Sequence, residues 1–334
     1  MKFKSQNLLV TGGAGFIGSH FIKYLLNKYN SVNVINLDLL TYAGDLNNTQ
    51  EFMHNDNYKF IHGDICDNLL LKKVFEKYKI DGVINFAAES HVDNSIVDPS
   101  KFIKTNINGI YCLLNTALNF WMNSGFKYKK EFVNSRFHQI STDEVYGSIL
   151  TGSFDENSHY KPNSPYSASK ASADMIIRSF NKTYGLNTTI SISSNNYGLN
   201  QNVEKLIPKV IKAICNNSAI NLYGDGMNVR NWLHVDDHCS AIDLIYNLGK
   251  SPEIYNVSGK NELSNIALIK KIYFLYNKID KKNKNKLRIN YIDDRLGHDR
   301  RYSLKSKKIS NDLGWFEKNN FENGLIELIK NEIN

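Results

Sequence analysis

The chain has 334 residues, 42% of them hydrophobic and 22% charged, which is enough apolar material for a packed core in one large or two modest domains. That excludes a disordered or collagen-like chain, and no apolar run reaches the roughly 18–20 residues a bilayer span needs. The formal charge of +8 is spread over separate groups (Lys127, Lys129 and Lys130; Lys281 and Lys282; Lys305, Lys307 and Lys308), so it predicts steering of small anionic ligands rather than a nucleic-acid or membrane partner. Cys66, Cys112, Cys215 and Cys239 are far apart and show no metal-ligand spacing. Residues 1–6 carry no secretory pattern. Reduced thiols, no metal and a cytoplasmic location are expected.

The short apolar run Asn7 to Val10 predicts a buried parallel strand. It leads into Thr11-Gly12-Gly13-Ala14-Gly15-Phe16-Ile17-Gly18, and an amphipathic helix follows. A glycine cluster between strand and helix is the context of a dinucleotide-binding turn. Gly12 and Gly13 permit the tight turn, Gly15 lets the backbone approach a pyrophosphate, and Gly18 lets the helix pack on the strand. The helix N-terminus offers amides and a positive dipole end to phosphate. A second strand, 32–37, ends at Asp38, 20 residues beyond Gly18. A carboxylate there can accept from ribose hydroxyls and repels a 2′-phosphate, so NAD is expected. A third strand, 58–61, runs to Asp64, which either faces the adenine or caps the helix near 69–78. A fourth strand, 82–86, ends in small residues, Ala87 and Ala88, beside which a cofactor can lie.

A helix near 101–119 and a strand near 137–140 come next. That strand runs into Ser141-Thr142-Asp143-Glu144-Val145-Tyr146-Gly147. Neighbouring strand residues point to opposite faces, so Asp143 and Glu144 share a site only if the chain bends there. If it bends, the pair can supply one protonated acid and one ionised base. Tyr166 and Lys170 then stand at i and i+4 on a helix face, and a nearby ammonium favours the phenolate, making Tyr166 a base.

TGGAGFIGSH, DLLTYAG, NFAAESHVDNS, STDEVYG, PYSASKAS, SNNYG, EKLIP, YNVSG and DRLGHDRRY, in this order over nearly the whole chain, resemble the nucleotide-diphosphate-glucose 4,6-dehydratases of the extended short-chain dehydrogenase/reductase family. The resemblance implies a lyase that oxidises a sugar at C4, eliminates water across C5–C6 and returns the hydride to C6. Tyr166, aided by Lys170, would take the O4 proton and Thr142 would hold that hydroxyl. Asp143 would protonate the departing C6 hydroxyl and Glu144 would take the C5 proton. The NAD site would comprise Phe16, Ile17, Asp38, Leu39, Leu40, Thr41, Asp64, Ile65, Phe86, Ala87, Ala88, Glu89, Ser90, Thr105, Tyr166, Lys170 and Asn196. The nucleotide-sugar site would comprise Ser90, Thr142, Asn195, Lys205, Leu206, Asn221, Leu222, Tyr223, Arg230, Asn256, Asp294, Arg295, Leu296, Gly297 and His298. The chain departs from the family's frequent prolines at Leu199, Val203, Asn221 and Leu296, near the nucleotide end.

The expected architecture is α/β and Rossmann-like: a doubly wound, mostly parallel sheet of seven strands in residues 1–190, with a smaller substrate-binding lobe in 191–334. Some segments are expected to cross between them. A homodimer through helices near 101–121 and 166–184 is a further expectation from the resemblance. An epimerase on the same fold, or a silent nucleotide-sugar-binding module, would share the glycine turn. Neither requires the Asp143–Glu144 pair.

Overall fold

The computed structural model of the protein describes residues 3–281 and 285–333, so Lys282 of the basic groups lies outside it. The first half alternates strands and helices: β1 (Asn7–Thr11), α1 (Phe16–Lys28), β2 (Asn33–Asp38), β3 (Tyr58–His62), α2 (Asn68–Tyr78) and β4 (Gly82–Asn85). A continuous helical run follows, ending in α3 (Ile110–Trp121), then β5 (Arg136–Thr142), α4 (Pro165–Tyr184) and β6 (Thr188–Ser193). The second half carries β7 (Asn195–Tyr197), α5 (Leu206–Cys215), β8 (Ile220–Tyr223), β9 (Val229–His234) and α6 (Val235–Leu248). It continues with β10 (Ile254–Val257), β11 (Asn261–Ser264), α7 (Asn265–Ile279), β12 (Ile289–Ile292) and a last helix, α8 (Phe321–Ile333).

Seven strands form the main sheet in the order β10–β6–β5–β4–β1–β2–β3, and every neighbouring pair is parallel. The winding reverses between β1 and β4, which opens a crevice at the carboxyl ends of the strands. One expectation needs correction: the seven strands do not fit into residues 1–190. The seventh, β10, comes from 254–257, and α6 packs beside α1. A parallel edge strand needs a crossover, and here the crossover carries β7, α5, β8 and β9 of the second lobe. That lobe has its own sheets, β11–β9–β7 and β8–β12, over a separate apolar core that includes Ile207, Ile211, Leu268, Ile272 and Leu325.

Strands buried on both faces normally read as apolar runs. β5 does not, because Arg136, His138 and Gln139 are all buried. Each has partners. Arg136 donates to Asn187 and to the carbonyls of Ile245 and Tyr246 at the end of α6. His138 sits between the hydroxyls of Thr189 and Ser191, and burial pushes it down to about 3, so it is neutral. Gln139 accepts from Asn85.

The helix expected over 101–119 runs from Pro99 to Trp121 but is not uniformly α: Ile103–Gly109 is π-helical. A π turn rotates the residues within it relative to an ideal helix. Here it brings Thr105 to the crevice and turns Asn106 inward, where it is 1% exposed.

Candidate active site

One cleft of about 1590 Å³, open solvent included, lies along the carboxyl ends of the strands. It runs from the glycine turn to Lys205 and takes in the Thr142–Glu144 bend between them. Of the residues expected to bind cofactor, all except Leu40 line it. Leu40 is displaced by a left-handed backbone (φ +54°), and its amide donates to Asp38 Oδ1 at 2.8 Å.

The glycine turn fits a dinucleotide. A Cβ on Gly12 would lie 2.6 Å from the Ala87 nitrogen, and Gly12 has φ +70°. A Cβ on Gly18 would lie 2.3 Å from the Gly12 carbonyl oxygen, so the helix can approach the turn only with glycine there. Gly15 caps α1 with no side-chain hydrogen bond, leaving the first-turn amides at the cleft. Asp38 ends β2, where the Ala14 amide donates to Oδ2 at 2.9 Å and fixes the carboxylate against the turn. Asp64 lines the cleft and does not cap α2; Asp67 does that, accepting from the Leu69 and Leu70 amides.

The chain bends at the end of β5. Asp143–Tyr146 is a 3-10 turn capped by Thr142, and Gly147 closes it at φ +77° with the Lys161 carbonyl where a Cβ would be. The bend brings Thr142, Asp143 and Glu144 to the cleft together. Asp143 is 2% exposed, and its Oδ2 is buried without a partner. Burial, then the Glu144 carboxylate, push it up to about 8. Burial also raises Glu144, and Arg295, Arg230 and Lys205 counter that rise.

Tyr166 and Lys170 enter from the first turns of α4. Ser164 and Ser167 form a capping box there, and Pro165 stands at the first helical position. Both side chains are buried and line the cleft. The expected lowering of the Tyr166 phenol by Lys170 is not what the structure shows. Burial and the Glu144 carboxylate hold the phenol well above its ordinary range, and a hydrogen bond with Thr142 acts the other way. The Lys170 ammonium donates instead to the Ile140 carbonyl at 2.7 Å, and burial brings it down to about 8.

The second lobe supplies cations to the far end. Lys205 Nζ donates to the Ser90 carbonyl at 3.2 Å. Arg295 lies 3.6 Å from Asp93, and its Nε is buried without a partner. Arg230 is buried, donates to the carbonyls of Val229 and Asp299, and stacks on Tyr302 at 4.1 Å. Such guanidinium groups suit a diphosphate. Tyr223 donates to Asp93 at 3.2 Å, and His298 pairs with Asp294 at 2.6 Å. Of the fifteen expected substrate residues, Ser90, Thr142, Asn195 and Lys205 line the cleft and the other eleven do not. Asn256 is fully buried in β10; its side-chain oxygen accepts from the Tyr146 hydroxyl and its backbone N–H donates to Glu156. The Leu222 side chain is in the core of the second lobe. Leu206 packs partly against that core, while Asn221 and Leu296 are exposed. Gly297 (φ +64°) sets the 294–298 loop against the Asn163 carbonyl, just before α4.

Sequence reasoning missed two anchors. Asp93 holds both Arg295 and Tyr223, and nothing in its spacing announces that. Asn106 accepts from the Glu89 amide and donates to the Glu89 carbonyl and to Ser169. Its signal was present: a polar residue midway between Phe102 and Ile110 on one buried stripe.

A family model described as GDP-mannose 4,6 dehydratase matches residues 9–328. A dTDP-glucose 4,6-dehydratase of Shigella flexneri is 43% identical, over 97% of this chain and 92% of its own length. One from Haemophilus influenzae is 43% identical over 97% of each. Among solved structures, the dTDP-glucose 4,6-dehydratase of Streptomyces venezuelae with NAD bound has 42% identity and a TM-score of 0.87, over 97% of this chain and 96% of that one. A UDP-glucose 4-epimerase of Thermotoga maritima has 28% identity and a TM-score of 0.83, over 97% of each.

The glycine turn yields a direct test. Replacing Gly12 with Ala places a methyl group against Ala87 and is expected to weaken NAD binding by roughly 10-fold or more, about 1.4 kcal/mol. Calorimetric titration with NAD measures this, and an unchanged affinity would separate the turn from the cofactor.

Proposed function

The chain belongs to the family described as GDP-mannose 4,6 dehydratase, and from that premise we propose that it is an NAD-dependent NDP-glucose 4,6-dehydratase with dTDP-glucose as its first candidate substrate. The observation that carries the reading is the adjacent pair of buried Asp143 and partly buried Glu144, turned into one cleft with Tyr166 and Lys170. The base preference is supported by the relatives named as dTDP-glucose enzymes.

When bound, NAD supplies a reversible hydride acceptor, taking hydride from C4 and giving it back at C6. The chain's own groups manage the protons. Tyr166 takes the O4 proton as its phenolate, which the Lys170 ammonium one helical turn away favours and which burial and Glu144 oppose. The resulting 4-ketone acidifies C5, and Glu144 takes that proton. Asp143 gives its proton to the C6 hydroxyl, which leaves as water. Glu144 then returns its proton to C5. Each turnover leaves Tyr166 one proton richer and Asp143 one poorer. The Thr142 hydroxyl, hydrogen-bonded towards both, bridges their reset. Arg230, Arg295 and Lys205 hold the diphosphate and offset the negative charge of Glu144.

Purified protein incubated with NAD and either dTDP-glucose or UDP-glucose is expected to convert one of them to a product lighter by one water, read by mass spectrometry. An isomer of unchanged mass would instead establish epimerisation.

Asp143 must hold its proton to act, and Lys170 must keep its charge. Both are protonated below about pH 8 and deprotonate above it. Product formation is therefore expected to persist through neutral pH and fall as pH rises through about 8. Asp143→Asn should lower kcat about 100-fold with KM within a few-fold. A pH profile flat to pH 10, or a variant with normal kcat, contradicts the assignment.

We also propose a homodimer through the helical run 103–121 and α4. The support is the half-exposed apolar side chains Ile103, Tyr111 and Met175 on those helices. Light scattering at micromolar protein should return twice the chain mass; a monomer mass removes the proposal.

A further inference from the structure

Asp174 stands one turn beyond Lys170 on the same face of α4. It is 1% exposed, and no step of the proposed reaction uses it. Its Oδ2 accepts from the Ser141 hydroxyl at 2.6 Å and from the Tyr160 hydroxyl at 3.2 Å. Oδ1 is buried without a hydrogen-bond partner. The end of β5 therefore grips both charges through consecutive residues: the Ile140 carbonyl takes the Lys170 ammonium and the Ser141 hydroxyl gives to Asp174.

A buried ammonium is costly unless an opposite charge offsets it. Burial lowers Lys170, and Asp174 is the group that raises it. Burial raises Asp174, while Lys170, Ser141 and Tyr160 pull it back. The other titratable groups beside this pair are Tyr166, one turn before Lys170 on α4, and Tyr146 and Tyr160 on the segment after β5, which feel the Asp174 charge. Tyr146 and Tyr160 are held neutral, so Asp174, which does not line the cleft, is the counter-charge that acts on Lys170.

We propose that Asp174 is a positioning residue that keeps Lys170 charged and seated on Ile140 while Tyr166 reacts. The proposal rests on the dehydratase reading for its kinetic consequence, but the charge pairing itself does not.

Two measurements test it. In Asp174→Asn the amide keeps an acceptor for Ser141 and Tyr160 but loses the charge. Lys170 then deprotonates more readily, so the alkaline limb of the kcat/KM profile should move down by about one pH unit, with activity at pH 6.5 within a few-fold of normal. A merely structural role would lower activity evenly across pH. The second measurement needs no activity. Asp174→Asn should lower Tm by at least ~5 °C when Lys170 is present and by much less in a Lys170→Met background. If Asp174→Asn alone does not fold, the double variant should. An unmoved limb, or equal destabilisation in both backgrounds, overturns the proposal. A normal coupling in Tm with no dehydration of either sugar nucleotide would leave the charge pair standing and remove the dehydratase reading instead.

Discussion

The repulsion between two adjacent carboxylates sets the terms for the rest of this structure. Asp143 and Glu144 follow directly from a buried parallel strand into a cleft that excludes much of its water. Two charges in such a place repel far more strongly than in solution. The protein resolves this in two ways. Asp143 keeps its proton, and Glu144 is countered by cations. The asymmetry follows from position, because Asp143 is the more deeply buried and Glu144 looks towards Arg295, Arg230 and Lys205. In the proposed mechanism this asymmetry makes an acid and a base from two nearly identical groups.

All three of those cations belong to the second lobe, so the sheet alone does not make a working site. This explains why the chain interleaves its two halves rather than joining them by a linker. β6 delivers the chain into the lobe, β9 carries Arg230, and β10 returns the chain to the edge of the sheet. The loop after β4 meets the lobe at several points. Lys205 reaches the Ser90 carbonyl, His91 approaches Glu204 at 3.5 Å, and Asp93 holds Tyr223 and Arg295. Individually such partly exposed pairs contribute little to stability. Together they fix the register between the strand ends and the cations, to which the Asp143–Glu144 division of labour is sensitive.

The parts of this arrangement that are local were legible in the sequence. The glycine turn, the strand ending at Asp38 and the helix bearing Tyr166 and Lys170 each have their own backbone signature, and the structure forms all three. The bend at Asp143 was legible only as a condition, since Gly147 permits a turn without dictating one. Parts that depend on distant packing were not legible. The seventh strand is four residues long and pairs with β6 only after a crossover through the second lobe. The π turn that moves Thr105 and Asn106 has no sequence period of its own. A motif gives a position and not a direction, so the place of Asn256 on a strand of the main sheet, accepting from Tyr146, was not legible. The state of Tyr166 was misread for a related reason. Helical spacing brings Lys170 to the same face, but the ammonium reaches the Ile140 carbonyl, which only the fold places there.

The likeness to a 4-epimerase in overall fold shows how little of the backbone is specific to water loss. Both chemistries begin by removing hydride from C4 and a proton from O4, which needs a nucleotide cleft and a tyrosine–lysine pair. Epimerisation then returns hydride to the opposite face of C4 and needs nothing further at C5 or C6. Dehydration needs a base at C5 and an acid at O6, on adjacent carbons and in opposite protonation states. Two consecutive residues in a 3-10 turn meet that requirement compactly, because the turn sends neighbouring side chains into one space where a strand would part them. On this argument the seven-residue stretch from Ser141 to Gly147 carries the difference in reaction outcome. Two buried hydrogen bonds beneath it, Ser141 to Asp174 and Lys170 to the Ile140 carbonyl, tie that stretch to the helix that bears Tyr166.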